Sequence, residues 1–288
     1  MKFEPPSARQ PVAPEERHVL VVRLLAAFVI LLGATTAVVL RLAFGDEADR
    51  LTRPKQPALY QGTADDLALG ARPVFGIAHN AGDNVETATQ ALARGARVIE
   101  VDVVSSRGEL FVSHDRPLPS LGAVPLDAPH LATVWKVAAG ADAVVLDLKQ
   151  SSPLLLVPLV DFVEAHRGPV VVVVTRSVLA LRKLRDTTPW VLRFLSIRKR
   201  TDLERLDLDP IADDVVQGVS VQQALLNARV ARRLEKRDLV VLAWVVNDAS
   251  RVNELASYGV DGIVTDDLSL IELLAGQRPW SLLTSGDP

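Results

Sequence analysis

Arg97-Val98-Ile99-Glu100-Val101-Asp102-Val103-Val104 is the stretch on which the reading of the chain turns. β-Branched residues dominate it and neither glycine nor proline interrupts it, so it predicts a strand. Side chains on a strand alternate between faces, which puts Val98, Glu100 and Asp102 on one side and Ile99, Val101 and Val103 on the other. Two carboxylates on one side of an apolar strand repel each other, and each is costly if buried without a partner. A divalent cation with oxygen ligands would resolve the conflict. An edge strand with a solvated acidic face is the alternative.

Outward from this stretch, strand-like and helix-like runs alternate. Val74–Ala78 is a strand ending at His79, and Asn84 caps a helix to about Arg94, with Gly95 as its stop. Leu110–Ser113 leads into His114. Strands follow at Ala143–Leu148, Pro169–Thr175, Trp190–Ile197, Val215–Val221, Leu239–Val246 and Gly262–Val264. Helices are expected at Leu131–Ala139, Leu154–His166, Val178–Asp186, a short one capped by Thr201, Gln222–Lys236, Arg251–Tyr258 and Leu268–Leu274. About eight strand–helix units with continuous apolar strands predict a (β/α)8 TIM barrel. A doubly wound open sheet is the alternative, but no glycine-rich dinucleotide fingerprint follows the first strand. His79, Glu100 with Asp102, His114, Asp147 with Lys149, Trp244 with Asn247, and Thr265 with Asp266 all fall at C-terminal strand ends, which converge on one mouth in a barrel.

The composition excludes some classes. A formal net charge of -3 over 288 residues suggests no nucleic-acid partner, and the absence of cysteine rules out disulfides and thiolate metal sites. Leu24–Leu40 (LLAAFVILLGATTAVVL) carries no charge and approaches the minimum length for a bilayer span, with Arg23 and Arg41 at its ends. The absence of a small-x-small cleavage site favours an uncleaved signal anchor over a signal peptide. The expected organisation is a short cytoplasmic tail (1–18), a transmembrane helix (19–44), a linker (45–71), the barrel (72–276) and a C-terminal tail (277–288). Flanking charges give a weak orientation signal, read here as a single-pass protein of the cell membrane with an extracytoplasmic barrel.

Several motifs, taken in order, resemble the glycerophosphodiester phosphodiesterases of the phosphatidylinositol-phospholipase-C-like superfamily. They are Ile77-Ala78-His79, Gly95 to Val103, Gly108 to Ser113 with His114-Asp115, Asp147-Leu148-Lys149, Trp244-Val245-Val246-Asn247, and Gly259 to Asp266. The chain departs from the family pattern where Asn80 replaces an arginine after the first histidine and where Asp147 replaces a glutamate. The Asp-x-Lys form is similar to the sphingomyelinase D branch, which also lacks that arginine. The Pro-Glu-Asn segment before the first helix is reduced to Asn84-Val85-Glu86-Thr87, and no ligand role is carried onto Glu86.

The resemblance implies a hydrolase cleaving glycerophosphodiesters or (lyso)phospholipid head groups, or a cyclising phospholipase. Glu100, Asp102 and Asp147 would be ligands to Mg²⁺ or Ca²⁺, an all-oxygen set suited to a hard cation and not to zinc. Lys149 would stabilise developing charge on the phosphoryl group, and His79 and His114 would act as acid and base. Trp244, Asn80 and Asn247 would contact substrate, Trp244 as an apolar wall or as a face for a quaternary ammonium. His18, His130 and His166 are read as structural. No obligate protein partner is expected. The alternative from another class is a degenerate barrel that only binds phospholipid or glycerophosphodiester.

Overall fold

The computed structural model describes residue 67 and residues 74–114, 124–125, 127–150, 152–208 and 212–276. These lie within one compact unit, Gln56–Pro288. The expected tail, anchor and C-terminal tail, and the linker apart from Leu67, lie outside the described residues. Among the described residues no helix is long and apolar enough to cross a membrane.

The strands are β1 (Phe75–Ala78), β2 (Val98–Ser106), β3 (Glu109–Val112), β4 (Ala143–Leu148), β5 (Val170–Thr175), β6 (Leu192–Ile197), β7 (Gly218–Gln222), β8 (Val240–Trp244) and β9 (Gly262–Thr265). The helices are α1 (Val85–Ala93), α2 (Leu131–Ala138), α3 (Pro153–Ala165), α4 (Val178–Thr187), α5 (Arg200–Leu208), α6 (Ala212–Val215), α7 (Ala228–Glu235), α8 (Ala249–Tyr258) and α9 (Leu268–Leu274). All strands except β3 run parallel, in the ring order β1-β9-β8-β7-β6-β5-β4-β2, and a β1–β2 pairing closes it. β3 folds back antiparallel on β2, with Val103 opposite Val112. The chain is therefore the expected TIM barrel. The open-sheet and edge-strand alternatives fall together, because β2 is paired on both sides and Asp102 is fully buried.

The alternation read on β2 holds around the ring. Val98, Phe75, Ile77, Val145, Val172, Phe194, Leu242 and Val264 point inward and form the barrel interior. Ile99, Val101 and Val103 point outward into the larger core shared with the helices. Two glycines make room for the aromatic rings. A Cβ on Gly218 would lie 2.5 Å from the Phe194 ring, and one on Gly262 would lie 2.6 Å from Leu242 and 2.8 Å from Phe75. Packing, rather than turn geometry, requires glycine at both positions.

Three local expectations are corrected. The helix expected over 222–236 is a short 3-10 turn, Gln223–Leu225, followed by α7, because the Asn227 side chain accepts the amides of Arg229 and Val230 and starts a new helix. Val215 ends the turn α6, and its carbonyl accepts Arg193 Nε at 2.9 Å, so β7 begins at Gly218. Thr201 lies inside α5 rather than capping it. Asp202 instead reaches back to accept the amides of Arg198 and Lys199 at 3.1 and 3.0 Å.

Candidate active site

At the C-terminal end of the barrel the inward positions change from apolar to charged. On β2 the step from Val98 to Glu100 and Asp102 carries the chain out of the packed interior, and β4 repeats it from Val145 to Asp147. The register sets Asp102 directly opposite Asp147. One carboxylate oxygen from each of Glu100, Asp102 and Asp147 lies within 4.8 Å of the others. Lys149 Nζ sits among them, 2.8 Å from Asp102 Oδ1 and 2.6 Å from Asp147 Oδ2. Burial opposes its charge, but the surrounding carboxylates hold its pKa above the ordinary lysine value.

The two histidines stand on either side of this cluster. His114, just past β3, places Nδ1 2.7 Å from Asp102 Oδ2. His79, just past β1, places Nδ1 2.6 Å from Asp266 Oδ1 and Nε2 3.7 Å from Glu100 Oε2. A carboxylate at Nδ1 fixes the ring and leaves Nε2 as the reactive nitrogen. Burial disfavours charge on His79, yet Glu100, Asp266 and Asp102 together lift its pKa to about 9. Burial lifts Glu100 to about 7, against the pull of His79 and with the help of the charges on Asp102 and Asp147. Asp102 moves the other way. Burial raises it, but the His114 hydrogen bond and Lys149 outweigh that and hold it below the usual carboxylate range.

The remaining expected residues fall into distinct places. Asn247 Oδ1 accepts Thr265 Oγ1 at 2.8 Å and the Asp266 amide at 2.9 Å, while its Nδ2 donates to Asp266 Oδ2 at 2.9 Å. It therefore holds Asp266, which holds His79. Trp244 ends β8, half-buried at the mouth, with the Arg198 guanidinium carbon 5.5 Å from its ring centroid. Asn80 adopts a left-handed backbone, φ 51° and ψ 13°, and its Oδ1 is buried without a hydrogen-bond partner. Asparagine is among the residues that enter that conformation most readily. Among the other histidines, His130 precedes α2 with its ring 4.4 Å from that of Phe111, and His166 ends α3 stacked on Phe162. His18 and Asp115 lie outside the described residues.

One residue and one pairing lie beyond what the sequence discloses. Asp83 closes the short turn after β1, and its Oδ1 accepts the Asp102 amide at 3.2 Å. Burial and the neighbouring Asp102 charge lift its pKa to about 8. Its signal was the acid immediately before Asn84. Asp266, a strand-end residue within the closing motif, pairs with His79 across 187 residues, which the sequence does not disclose.

The donors fit a hard divalent cation. They are all oxygen, they converge, and Glu100 Oε2 is buried without a hydrogen-bond partner. Fold and mouth together define a TIM barrel whose C-terminal end carries a cluster of carboxylates flanked by two imidazoles. Residues 158–270 match the model of the Glycerophosphoryl diester phosphodiesterase family, and that is the family this chain is similar to. The matched segment contains Trp244, Asn247 and Asp266 and begins after the acidic cluster. The fold is also that of an Oleispira antarctica phosphodiesterase solved with the product sn-glycerol-3-phosphate, at TM-score 0.61 and 17% identity over 75% of this chain and 100% of that one. A glycerophosphodiester phosphodiesterase from Parabacteroides distasonis superposes at TM-score 0.57 and 16% identity, over 72% of this chain and 98% of that one. No curated protein sequence matches the chain.

Proposed function

We propose that this protein is a divalent-cation-dependent phosphodiesterase that cleaves glycerophosphodiesters or lysophospholipid head groups by histidine acid/base catalysis. The observation that carries the reading is the pair of imidazoles, each oriented by a carboxylate at Nδ1, beside a convergent set of buried carboxylates. A merely binding barrel has no need of two imidazoles oriented for proton transfer. Glu100, Asp102 and Asp147, with Asp83 as a fourth carboxylate, would hold Mg²⁺ or Ca²⁺, which when bound supplies positive charge to a phosphoryl oxygen. Lys149 places a fixed ammonium against charge developing on the phosphoryl group. One imidazole Nε2 takes a proton from the attacking oxygen, either water or a substrate hydroxyl. The other returns a proton to the leaving alkoxide. Asp266 and Asn247 keep His79 in position for its part.

The lipid side of the reading has its own support. The uncharged run 24–40 would tether the barrel to the cell membrane on the extracytoplasmic side. Leu154 and Val157 on the first turns of α3, and Leu179 at the start of α4, are exposed close to the mouth and offer apolar contact to acyl chains. The deciding experiment incubates the full chain with glycerophosphodiesters and lysophospholipids, with and without chelator, and resolves products by phosphorus NMR. Phosphomonoester or cyclic phosphate should form only when Mg²⁺ or Ca²⁺ is present. No turnover of any diester, or equal turnover in chelator, overturns the proposal.

A further inference from the structure

We propose that Arg198 is a specificity-determining residue, selecting substrates whose head group carries a second anionic charge such as a phosphate. The proposal rests on the phosphodiesterase reading above and adds a substrate class to it. Arg198 directly follows β6 and continues the inward register of Leu192, Phe194 and Ser196. Its guanidinium reaches past β7 to lie over the Trp244 indole, 5.5 Å from the centroid. The ring supports the cation while leaving the edge of its planar fork open to an oxyanion. Lys199 and Arg200 follow it, and Arg176 stands at the end of the neighbouring strand β5; all four cations are exposed. Among the described residues no carboxylate forms an ion pair with any of the four. Asp202 accepts the backbone amides of Arg198 and Lys199, which ties down the loop that presents them.

The mouth is thus divided. The carboxylates and imidazoles occupy the sector from β9 through β1 and β2 to β4, and β6 lies diametrically opposite β1 in the ring. A substrate with its scissile phosphate in the acidic sector would extend its alcohol toward Arg198. The indole face, already covered by a guanidinium, is a poor seat for a quaternary ammonium, and the cluster of cations repels one. An added phosphate gains a charge-assisted, bidentate contact. The cation missing beside His79, where Asn80 stands, is therefore offset by one on the opposite wall that meets a different part of the substrate.

The test measures kcat/KM for glycerophosphoinositol 4-phosphate, glycerophosphoinositol and glycerophosphocholine with the full chain in one divalent-cation buffer. The phosphorylated inositol substrate should exceed its parent by about tenfold, as one charged hydrogen-bonded contact allows. Glycerophosphocholine should be the poorest of the three. Arg198→Gln should bring the first ratio close to one, whereas Lys236→Gln, at the other end of the barrel after α7, should leave it unchanged. A ratio near one in the native chain, a ratio that survives Arg198→Gln, or a preference for glycerophosphocholine overturns the inference. Cleavage of all three without charge preference removes this inference alone. Failure to cleave these substrates and bis(p-nitrophenyl) phosphate as well removes the phosphodiesterase reading and this inference with it.

Discussion

The floor and the mouth of this barrel are built on the same strands yet stabilised by different means. On the floor, Phe75 and Phe194 fill space that Gly262 and Gly218 leave open, so complementary shape holds the cluster together. Two residues further along β2 the same inward column carries Glu100 and then Asp102, where charge replaces volume. The interior cluster of the floor is built of apolar side chains. At the mouth, burial together with the neighbouring carboxylates makes Glu100 and Asp83 hold their protons well above the usual range. The contrast teaches that packing at one end maintains a strained charge arrangement at the other.

Substitutions should separate the two ends cleanly. The largest loss is expected for Asp102→Asn, which weakens the proposed cation site, the Lys149 ion pair and the His114 orientation together. Its kcat should fall at or beyond the upper end of the range of about 10²- to 10⁴-fold typical of losing an acid/base group. His79→Ala and His114→Ala should lie within that range, and a p-nitrophenolate leaving group should rescue only the variant that lost the acid. Asp266→Asn leaves His79 present but poorly held, and a loss of about 10- to 100-fold is expected. At the floor, Gly218→Ala should lower stability by about 1–3 kcal/mol in urea unfolding while kcat stays native. A native kcat in Asp102→Asn, or a catalytic defect in a well-folded Gly218→Ala, would break the division.

The smallest effect is on stability against pH, and its sign follows from the direction of each shift. His79 is raised from 6.5 to about 9, so its contribution is full below 6.5 and is lost as pH rises through 9. Glu100 and Asp83 are raised to about 7 and about 8, so the folded state favours their protonated forms, and that contribution is likewise lost on going alkaline. The lowered Asp102 acts only below the ordinary carboxylate pKa. In chelator, Tm should fall from about pH 5 to about pH 9, and added Mg²⁺ or Ca²⁺ should restore it most at the alkaline end. A flat or rising Tm in chelator would contradict this balance of charges.

The strands were legible in the sequence because periodicity and β-branching are local signals. The face shared by Glu100 and Asp102 followed from the same alternation, and so did the convergence of His79, His114, Asp147 and Lys149 on one mouth. What escaped depended on contacts distant in sequence or on short irregular turns. Asp83 sits in a single 3-10 turn without a periodic pattern, and the next acid along the chain, Glu86, faces solvent on the following helix. The Asp266–His79 pair required the first and last strands to be adjacent, which only ring closure provides. Arg198 opens a run of three basic residues that reads as an ordinary solvated helix start, and only its place over Trp244 sets it apart. The break between Leu225 and Ala228 was hidden by helix-favouring residues on both sides of Asn227.

The ring closes unevenly. β1 is zipped to β9 along its whole length, Phe75 to Ala78, but meets β2 at the single pair Ala78 and Ile99. This lightly stitched joint runs directly beneath His79 and Glu100, one on each lip. The barrel therefore has a compliant seam at the place where His79 and Glu100 face each other, and widening or narrowing it by a fraction of an ångström would leave the other inter-strand ladders intact. Amide exchange should find that seam first, and cation binding across it should act as the last stitch.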